Sequence, residues 1–545
     1  MLKLLCLFIC LCSCSSKQRY DYIQLKFTGG AVAADSLGAS KVGVEILKRG
    51  GNAVDAAVAT SFALSVVRLE SCGIGGGGFM LIDSPKMDPV ALNYRETAPS
   101  EVGPHFYNTH DSLKGPDASG IPGTVAGLLT AHERYGVLTR AQVLEPAIHL
   151  ALDYREMNKQ LVAFLEETPE WRTLIQEQIE TLKEKDFGFY YLISGFNQVE
   201  VLRLIAEHGK AGFYEGHVAD AIVEATDGHI TRDDLANYSP KWEQPLQVDI
   251  GAGNTLIAMP PPSSGGVAIA QIIGLLQRIA PESNFELDVH YAHALVESMK
   301  HAFADRAEHM ADTAFVDVPV DALLHPEYLD SLAESIDLQQ TKDTYSYGSV
   351  TVPDDGGTSH FCVVDKDGMM VSTTETINTK FGSEVIVTPY GFPLNNEMDD
   401  FSSPSGANVY GLRQSEKNFP APGKRPLSSM SPTIIEQNGV PYLAIGGSGG
   451  PRIISAVVQV LLRILWFGDE PNEAVQRSRL HHQWLPNDVY FEEMNLMPSI
   501  AEQLSQKGHS WNIRKRIGVV QVILVEDGVM KPYSDQRKYG KPAGY

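Results

Sequence analysis

The chain has 545 residues, of which 43% are hydrophobic and 20% charged, a balance typical of a soluble globular protein. This length exceeds what one simple core accommodates, so we expect two closely packed domains or subunits. With 44 Lys and Arg residues against 67 Asp and Glu residues, the formal net charge is −23, which disfavours nucleic-acid or anionic-membrane binding through bulk charge but leaves room for a local positive pocket.

The amino terminus has the pattern of an export signal. Lys3 precedes an apolar run at 4–12, far shorter than the ~20 residues that span a membrane. The segment LCSC at 11–14 resembles a lipoprotein processing box, in which Cys14 would be lipidated; ordinary signal cleavage is the alternative. We expect residues 1–14 to be a leader and the protein to be exported, periplasmic or extracellular, with a membrane contact only through a lipid anchor at Cys14.

Two helices are predicted next in the chain. The first covers residues 36–49 and ends at a glycine pair, a common C-terminal cap. Asn52 can cap the second, which runs from Ala53 to about Val67 and is apolar on nearly every side, so we expect it to be buried.

A glycine-rich run at 73–78 follows the second helix. It lacks the Lys and Ser/Thr of a Walker loop, and a dinucleotide site would need a strand before the glycines and a helix after them. The order here is the reverse, because the strand-like residues 79–82 come after the run. The pattern therefore predicts close backbone packing rather than nucleotide binding.

The middle of the chain reads mainly as helices. An amphipathic helix is predicted at 138–153, a polar and largely helical stretch at 155–215, and a capped short helix at 230–235. The segment PPPSSGG at 260–266 predicts a rigid turn that opens a helix.

Residues 288–310 are predicted to be helical and carry four histidines. Their spacing does not match a metalloprotease motif, so we expect solvent-facing side chains and no metal site. No organic cofactor is indicated either. The polar residues 338–357 predict an exposed linker that ends at Thr358.

Thr358 follows two glycines and begins a predicted hairpin. Strand-like alternation stands on both sides of an Asp-Gly pair at 367–368. A hydroxyl after a strained glycyl carbonyl can attack that carbonyl and make Thr358 a new amino terminus. Its own α-amine then lies beside its Oγ, which gives a nucleophile with a built-in base. On this stretch alone, an ordinary Gly-Thr before a surface strand is the alternative.

Further polar or glycine-rich segments follow Thr358 where strands should end. They are Thr376, Asn378, NNEMDD at 395–400, Ser428, Ser429 and GGSGG at 446–450. Solvated carboxylates and ordinary turns are the alternative interpretations. Gly449 and Gly450 stand just before a predicted helix, where free backbone N–H groups can bind a developing oxyanion.

Taken in order, these motifs resemble those of the γ-glutamyltranspeptidases, threonine members of the N-terminal-nucleophile hydrolases. The matching segments are GNAVDAA (51–57), GIGGG (73–77), RETAP (95–99), PG (122–123), PPPSSGG (260–266), GTSH (357–360), TIN (376–378), LNNEMDDF (394–401), PLSSMSPT (426–433) and GGSGGPR (446–452). The resemblance spans roughly residues 30–540, and residues 155–200 depart from it.

The resemblance implies an α/β (α+β) fold, a four-layer αββα sandwich of the N-terminal-nucleophile hydrolase type. It also implies a precursor that cleaves itself between Gly357 and Thr358. The products would be a large subunit, 15–357, and a small catalytic subunit, 358–545, which stay together as a heterodimer.

The implied reaction opens γ-glutamyl amides such as glutathione. Thr358 would attack the γ-carbonyl, Thr376 would orient Thr358, and the N–H groups of Gly449 and Gly450 would hold the oxyanion. The γ-glutamyl group would then pass to water, an amino acid or a dipeptide. The residues implied in substrate binding are Arg95, Thr376, Asn378, Glu397, Asp400, Ser428, Ser429, Gly449 and Gly450.

Within that set the resemblance assigns two charged contacts. Arg95 with the two serines would bind the donor α-carboxylate, and Asp400 with Glu397 and Asn378 the α-ammonium. A structural ion pair with a neighbouring acid is the alternative for Arg95. Tyr410 would act as a lid residue that reaches Asn378; an ordinary exposed loop tyrosine is the alternative. We expect Asp399 to support its turn rather than touch the substrate.

Two other functions remain open on the sequence. One is a related amide acylase, similar to the cephalosporin acylases, although such relatives tend to lose the charged residues that bind the donor α-ammonium and α-carboxylate. The other is an uncleaved, non-catalytic binding ectodomain.

Overall fold

The computed structural model describes residues 23–167, 198–279, 289–342, 357–402, 408–413, 415–493 and 498–545. The predicted leader with Cys14 and most of the predicted linker at 338–357 lie outside these ranges, as does much of the segment that departs from the family motifs.

Helices and strands alternate along the described chain. The helices are α1 Leu37–Lys48, α2 Ala53–Val67, α3 Thr124–Tyr135, α4 Arg140–Glu167, α5 Gln198–His208, α6 Ala211–Tyr214, α7 Gly216–Ala225, α8 Arg232–Asn237, α9 Gly265–Ile279, α10 Val289–His309, α11 Val320–Leu323, α12 Pro326–Ser335, α13 Arg452–Leu465, α14 Pro471–Gln476 and α15 Pro498–Gln506. The strands are β1 Gly30–Ala34, β2 Gly77–Ser84, β3 Met87–Tyr94, β4 Lys241–Glu243, β5 Leu246–Asp249, β6 Asn254–Ala258, β7 Gly357–Asp365, β8 Met370–Asn378, β9 Ile386–Val387, β10 Phe392–Pro393, β11 Thr433–Gln437, β12 Val440–Ser448, β13 Leu480–His481, β14 Val489–Glu492, β15 Trp511–Arg514, β16 Val519–Glu526, β17 Val529–Ser534 and β18 Ala543–Gly544.

The two helices predicted near the start are confirmed. Asn52 caps α2 through a capping box with Asp55, in which each side chain accepts from the other residue's backbone N–H. Helix α2 is buried from Ala53 to Val66, as its apolar composition predicts. Thr231 caps α8 with Asp234 in the same way, so the short capped helix is confirmed as well.

Two antiparallel sheets form the centre of the molecule. The first has the order β18-β1-β7-β8-β2-β3-β4 and the second the order β17-β16-β12-β11-β6-β5. Each contains strands from both sides of the Gly357–Thr358 bond, so a break there would leave two chains that share both sheets.

Side-chain alternation along the strands builds the layers. In β1, Ala31 and Ala33 join the core that includes the second sheet, α9, α10 and α13, whereas Val32 and Ala34 join the core that includes α1, α2 and α3. Helices therefore cover the outer face of each sheet, and the predicted four-layer αββα sandwich is confirmed.

The glycine-rich run packs against neighbouring backbone, as predicted. A Cβ atom on Gly75 would lie 2.1 Å from the carbonyl oxygen of Pro393, and one on Gly76 would lie 2.0 Å from that of Thr376. The Gly76 carbonyl also accepts hydrogen bonds from the N–H groups of Gly123 and Thr124. These contacts bring the start of β2 against the end of β8, which carries site residues.

Membrane-spanning helices were sought in the described part of the chain. No helix there combines the length and the apolar character that crossing a membrane requires.

Gly76→Ala should destabilise the fold, because its Cβ would clash with backbone that cannot move away. We expect a loss of about 1–3 kcal/mol in the free energy of unfolding, measured as a lower thermal-unfolding midpoint. Gly103→Ala is the matched control, since nothing lies within 4 Å of the added Cβ. Equal midpoints for the two variants would contradict the packing argument.

Candidate active site

A hairpin places Thr358 at the start of β7, directly opposite Thr376 on β8. Its turn is closed by Asp365, whose side chain accepts from the backbone N–H groups of Asp367 and Met369, so the predicted hairpin is confirmed. Thr358 is buried. The alternative of a Gly-Thr pair before a surface strand is therefore wrong.

One hydroxyl joins the nucleophile to the bond that precedes it. Thr376 Oγ1 donates to the Gly357 carbonyl at 2.8 Å and accepts from Asn378 N at 2.7 Å. It also lies 3.0 Å from Thr358 Oγ1. Because its only proton goes to Gly357, the Thr358 hydroxyl is the donor in that contact.

Only glycine fits before the nucleophile. A Cβ atom on Gly357 would lie 2.1 Å from the carbonyl oxygen of Asn378. The strand register also shifts between Gly357 and Thr358, so the backbone leaves regular pairing at the predicted scissile bond.

A pocket opens over Thr358, and the empty space in the pocket together with its mouth is about 300 Å³. Its lining contains every predicted site residue except Gly357 and Gly449. The lining residues are Arg95, Thr358, Thr376, Asn378, Glu397, Asp400, Tyr410, Leu412, Ser428, Ser429, Met430, Gly450, Pro451 and Ile453.

The two glycines lie at the end of β12, just before α13. Gly449 has φ +136° and Gly450 φ +57°, values in the region that favours glycine. A Cβ atom on Gly450 would lie 2.8 Å from the Tyr410 ring. The segment thus passes close to Tyr410 before the chain enters the helix.

Arg95 forms ion pairs with the acids that were predicted to bind a substrate ammonium. Its Nη1 lies 2.5 Å from Glu397 Oε2 and 3.7 Å from Glu96 Oε2, and its Nη2 lies 2.6 Å from Asp400 Oδ2. Only 1% of the Arg95 side chain is exposed. The charged groups of the pocket therefore contact one another, and the ion pair that was the alternative for Arg95 is present.

Burial changes the acid–base behaviour of this cluster. It raises the pKa of Glu397 well above its usual range and that of Glu96 to about 8, although attraction to Arg95 acts in the opposite direction. Burial lowers the pKa of Arg95, but the three carboxylates more than offset this, so that pKa is raised overall.

The turn at 260–266 fixes the predicted serine pair. Ser264 donates to the carbonyl of Ser428 through both its N–H, at 2.8 Å, and its hydroxyl, at 2.7 Å. Ser428 N donates in return to Pro262 O at 2.9 Å, and Ser263 Oγ donates to Met430 O at 2.7 Å. The sequence predicted a rigid turn here but not its contact with the serines.

Tyr410 covers one side of the pocket. Its hydroxyl donates to the carbonyl of Asn378 at 2.9 Å and its side chain is buried, so the exposed-tyrosine alternative is wrong. Asp399 accepts from Val409 N at 2.7 Å and from Ser112 Oγ at 2.8 Å. These bonds confirm that Asp399 supports the loop.

Lys538 contacts Thr358, the predicted nucleophile, and no sequence motif pointed to this contact. Its Nζ donates to the carbonyl of Thr358 and lies 3.3 Å from Asp35 Oδ2. Asp35 follows β1 and Lys538 follows β17, so residues from near the two ends of the described chain meet beside Thr358. Neither belongs to a motif that marks catalysis.

The histidines of α10 differ from the prediction. His290 is exposed, but His293 is buried, and its Nδ1 lies 2.7 Å from His509 Nε2. His293, Glu297 and His509 bring potential metal-ligand atoms within 4.8 Å of one another. However, Lys300 Nζ donates to Glu297 at 3.0 Å, so a buried ion pair already engages the carboxylate.

The family model described as gamma-glutamyltranspeptidase matches residues 39–545 of this chain. The glutathione hydrolase proenzyme of Escherichia coli (strain K12) is 37% identical over 539 residues, which cover 95% of this chain and 92% of that protein. The glutathione hydrolase proenzyme of Pseudomonas aeruginosa is 40% identical over 543 residues, which cover 94% of each.

A solved structure has the same overall architecture. The cephalosporin acylase from Bacillus halodurans superposes with a TM-score of 0.79 at 25% identity, covering 97% of this chain and 98% of that one. Fold similarity therefore extends to an acylase, and only the residues in the pocket can separate the two chemistries.

Glu375 lies on the other face of β8 from Thr376. It is buried and accepts hydrogen bonds from Ser61 Oγ at 2.6 Å and Tyr94 OH at 3.0 Å. Burial raises its pKa to about 7, and the two hydrogen bonds offset only part of that rise.

Glu375→Gln should change how stability depends on pH. Between the ordinary glutamate pKa and about 7, the folded chain keeps a proton that the unfolded chain has released, so stability falls as pH rises. In the glutamine variant, the decrease in the free energy of unfolding between pH 4.5 and 8 should be smaller by up to about 3 kcal/mol, as measured by denaturant unfolding. The exposed Glu334→Gln on α12 is the control. An unchanged slope in Glu375→Gln would contradict the burial argument.

Proposed function

The chain belongs to the gamma-glutamyltranspeptidase family, and on this basis we propose that it hydrolyses glutathione and related γ-glutamyl amides through an ester on Thr358. The observation that carries the proposal is the Thr376 hydroxyl, which contacts both Thr358 Oγ1 and the Gly357 carbonyl at the floor of a charged pocket.

The chain would first cleave itself. Thr358 Oγ attacks the Gly357 carbonyl, an ester forms, and the C–N bond breaks to free the Thr358 amine. Water then hydrolyses the ester, leaving a carboxylate on Gly357 and restoring the hydroxyl. The large subunit, 15–357, and the small subunit, 358–545, would remain a heterodimer, because both sheets contain strands from each.

The freed amine would then serve as the base of the second reaction. It takes the proton from Thr358 Oγ as the oxygen attacks the γ-carbonyl, and it returns that proton to the leaving amine. The N–H groups of Gly449 and Gly450 would stabilise the oxyanion, where one lost donor typically costs about 10²–10³ in rate. Water, an amino acid or a dipeptide then takes the γ-glutamyl group.

The charged cluster suits the zwitterionic end of the donor. The α-carboxylate would bind Arg95 with the hydroxyls of Ser428 and Ser429, and the α-ammonium would bind Asp400 and Glu397 with help from Asn378. In the structure Arg95 pairs with these two acids. A zwitterion can insert into such a pair without changing the total charge, so no charge is left without a partner.

The same cluster favours this activity over that of an acylase. A donor that lacks the α-ammonium or the α-carboxylate does not need binding groups for both. The pocket contains groups suited to both, namely Arg95, Asp400 and the serine pair. The non-catalytic ectodomain is disfavoured because Thr358 and Thr376 keep the geometry of a nucleophile and its orienting group.

Export is the proposed location. The leader pattern at 1–14 supports a periplasmic or extracellular enzyme, with either ordinary signal cleavage or a lipid anchor at Cys14. Mass spectrometry of the mature amino terminus would distinguish the two fates.

Thr358→Ala should leave the chain whole, because no hydroxyl remains to attack Gly357. Denaturing gels should show one band for this variant and two for the wild type, the smaller beginning at Thr358. The variant should also release no amine from a γ-glutamyl anilide. Thr358→Ser is the control, since it retains a hydroxyl and should still cleave. Two bands from Thr358→Ala would refute the assignment of the nucleophile.

Asp400→Asn should weaken selection of the donor α-ammonium. Wild-type enzyme should prefer a γ-glutamyl anilide over the glutaryl anilide, which lacks the amino group. The variant should lower kcat/KM for the γ-glutamyl substrate by about tenfold or more, with a smaller effect on the glutaryl substrate. Asp367→Asn, in the hairpin turn, is the control. A wild-type preference for the glutaryl anilide would favour the acylase alternative.

A further inference from the structure

Arg306, on helix α10, is a second buried arginine beside the pocket, and no family motif quoted above includes it. Only 3% of its surface is exposed. Its Nε donates to Ser264 Oγ at 3.0 Å, and its Nη2 donates to Ser429 Oγ at 3.3 Å. Its Nη1 is buried and has no hydrogen-bond partner among the described residues.

The charge of Arg306 has no paired carboxylate within the described ranges. Arg95, by contrast, lies within 2.6 Å of both Glu397 and Asp400. Burying a guanidinium without a counter-ion is unfavourable, and such an arrangement is typical of a place where a ligand supplies the missing charge. Beside the serine pair, the positive charge that lacks a carboxylate partner among the described residues is therefore that of Arg306 rather than that of Arg95.

The hydrogen-bond directions at Ser429 also favour a role for Arg306 in binding an anionic group. A guanidinium can only donate, so the Ser429 hydroxyl accepts from Arg306 Nη2. Its own proton is then free to turn toward the pocket, which Ser429 lines and Arg306 does not. Ser264 Oγ likewise accepts from Arg306 and donates to the Ser428 carbonyl, so one side chain supports both serines.

Arg306 lies close enough to Asp400 and Arg95 to interact with both electrostatically. Its pKa is lowered to about 10, mainly by burial; the charge of Asp400 acts to raise this pKa and that of Arg95 to lower it. Arg306 thus remains a cation at neutral pH, and its field acts in the same pocket as those two groups.

We propose that Arg306 is a positioning residue for donors that carry an α-carboxylate: it holds Ser429 as a donor toward that carboxylate and supplies the uncompensated positive charge behind it. The proposal rests on the proposed function. A purely structural role, fixing α10 against the turn at 260–266, is the competing explanation, and it predicts no dependence on the carboxylate.

The test compares a γ-glutamyl anilide with the 4-aminobutyryl anilide, which lacks the α-carboxylate. Arg306→Gln should lower kcat/KM for the γ-glutamyl substrate by about tenfold or more, mainly through KM, and change the 4-aminobutyryl value by less than about threefold. Arg306→Lys, which keeps the charge, should restore most of the loss. Arg278→Gln, an arginine on α9 paired with Asp330, is the control and should match the wild type.

Equal losses on both substrates, or no rescue by lysine, would overturn the proposal and leave a structural role. If Arg306→Gln is not processed into subunits, Ser429→Ala is the second variant. It should cause a carboxylate-dependent loss as well; equal losses on the γ-glutamyl and 4-aminobutyryl substrates would overturn the proposal. Failure of the proposed function is distinguishable, because the wild type would then release no amine in a Thr358-dependent way.

Discussion

The whole site depends on the pairing of β7 between β1 and β8. Strand β1 pairs with residues 361–365 of β7, and β8 pairs with β7 from Gly357 onward, so the residues proposed to react are held by β8. Thr358 therefore faces Thr376 by strand register alone. The same register puts Gly357 against the backbone of Asn378, where no side chain fits. A one-residue slip would turn Thr358 to the opposite face of the sheet and remove both contacts.

The shared Thr376 hydroxyl explains how one threonine could serve two reactions. In the uncleaved chain it donates to the Gly357 carbonyl and accepts from Thr358. After cleavage the carbonyl would be released, while the contact with Thr358 could remain. Lys538 and Asp35 hold the other side of Thr358 by its carbonyl, so the new amino terminus would stay attached to the sheet.

Charge in this pocket is concentrated and almost wholly removed from solvent. An acidic protein with a net charge of −23 can still select an acidic ligand, because selection depends on the groups within a few ångströms. Arg95 and its acids form a self-compensated set that a zwitterion could enter, whereas Arg306, behind the serines, pairs with no carboxylate of the described residues. In the proposed function, recognition of the donor's two charged groups would follow from this difference in counter-ions.

Local patterns predicted much of the fold. The capping box at Asn52, the buried helix α2, the hairpin after Thr358 and the close packing of Gly75 and Gly76 all follow from rules that act over a few residues. The exposure of His293 was predicted wrongly, because its burial against His509 depends on a partner 216 residues away. Periodicity reports which face of a helix is polar, not which distant segment covers that face.

By itself, the sequence determined the family, and it predicted the nucleophile with its preceding glycine and the residues proposed to bind the donor, since these are encoded in ordered short motifs. Only the tertiary structure decided which charges meet. It paired Arg95 with the acids, brought Lys538 to the Thr358 carbonyl and placed Arg306 behind Ser429. The reason is physical: a hydrogen bond or an ion pair forms over about 3 Å, and sequence separation carries no information about distance once the two sheets have packed.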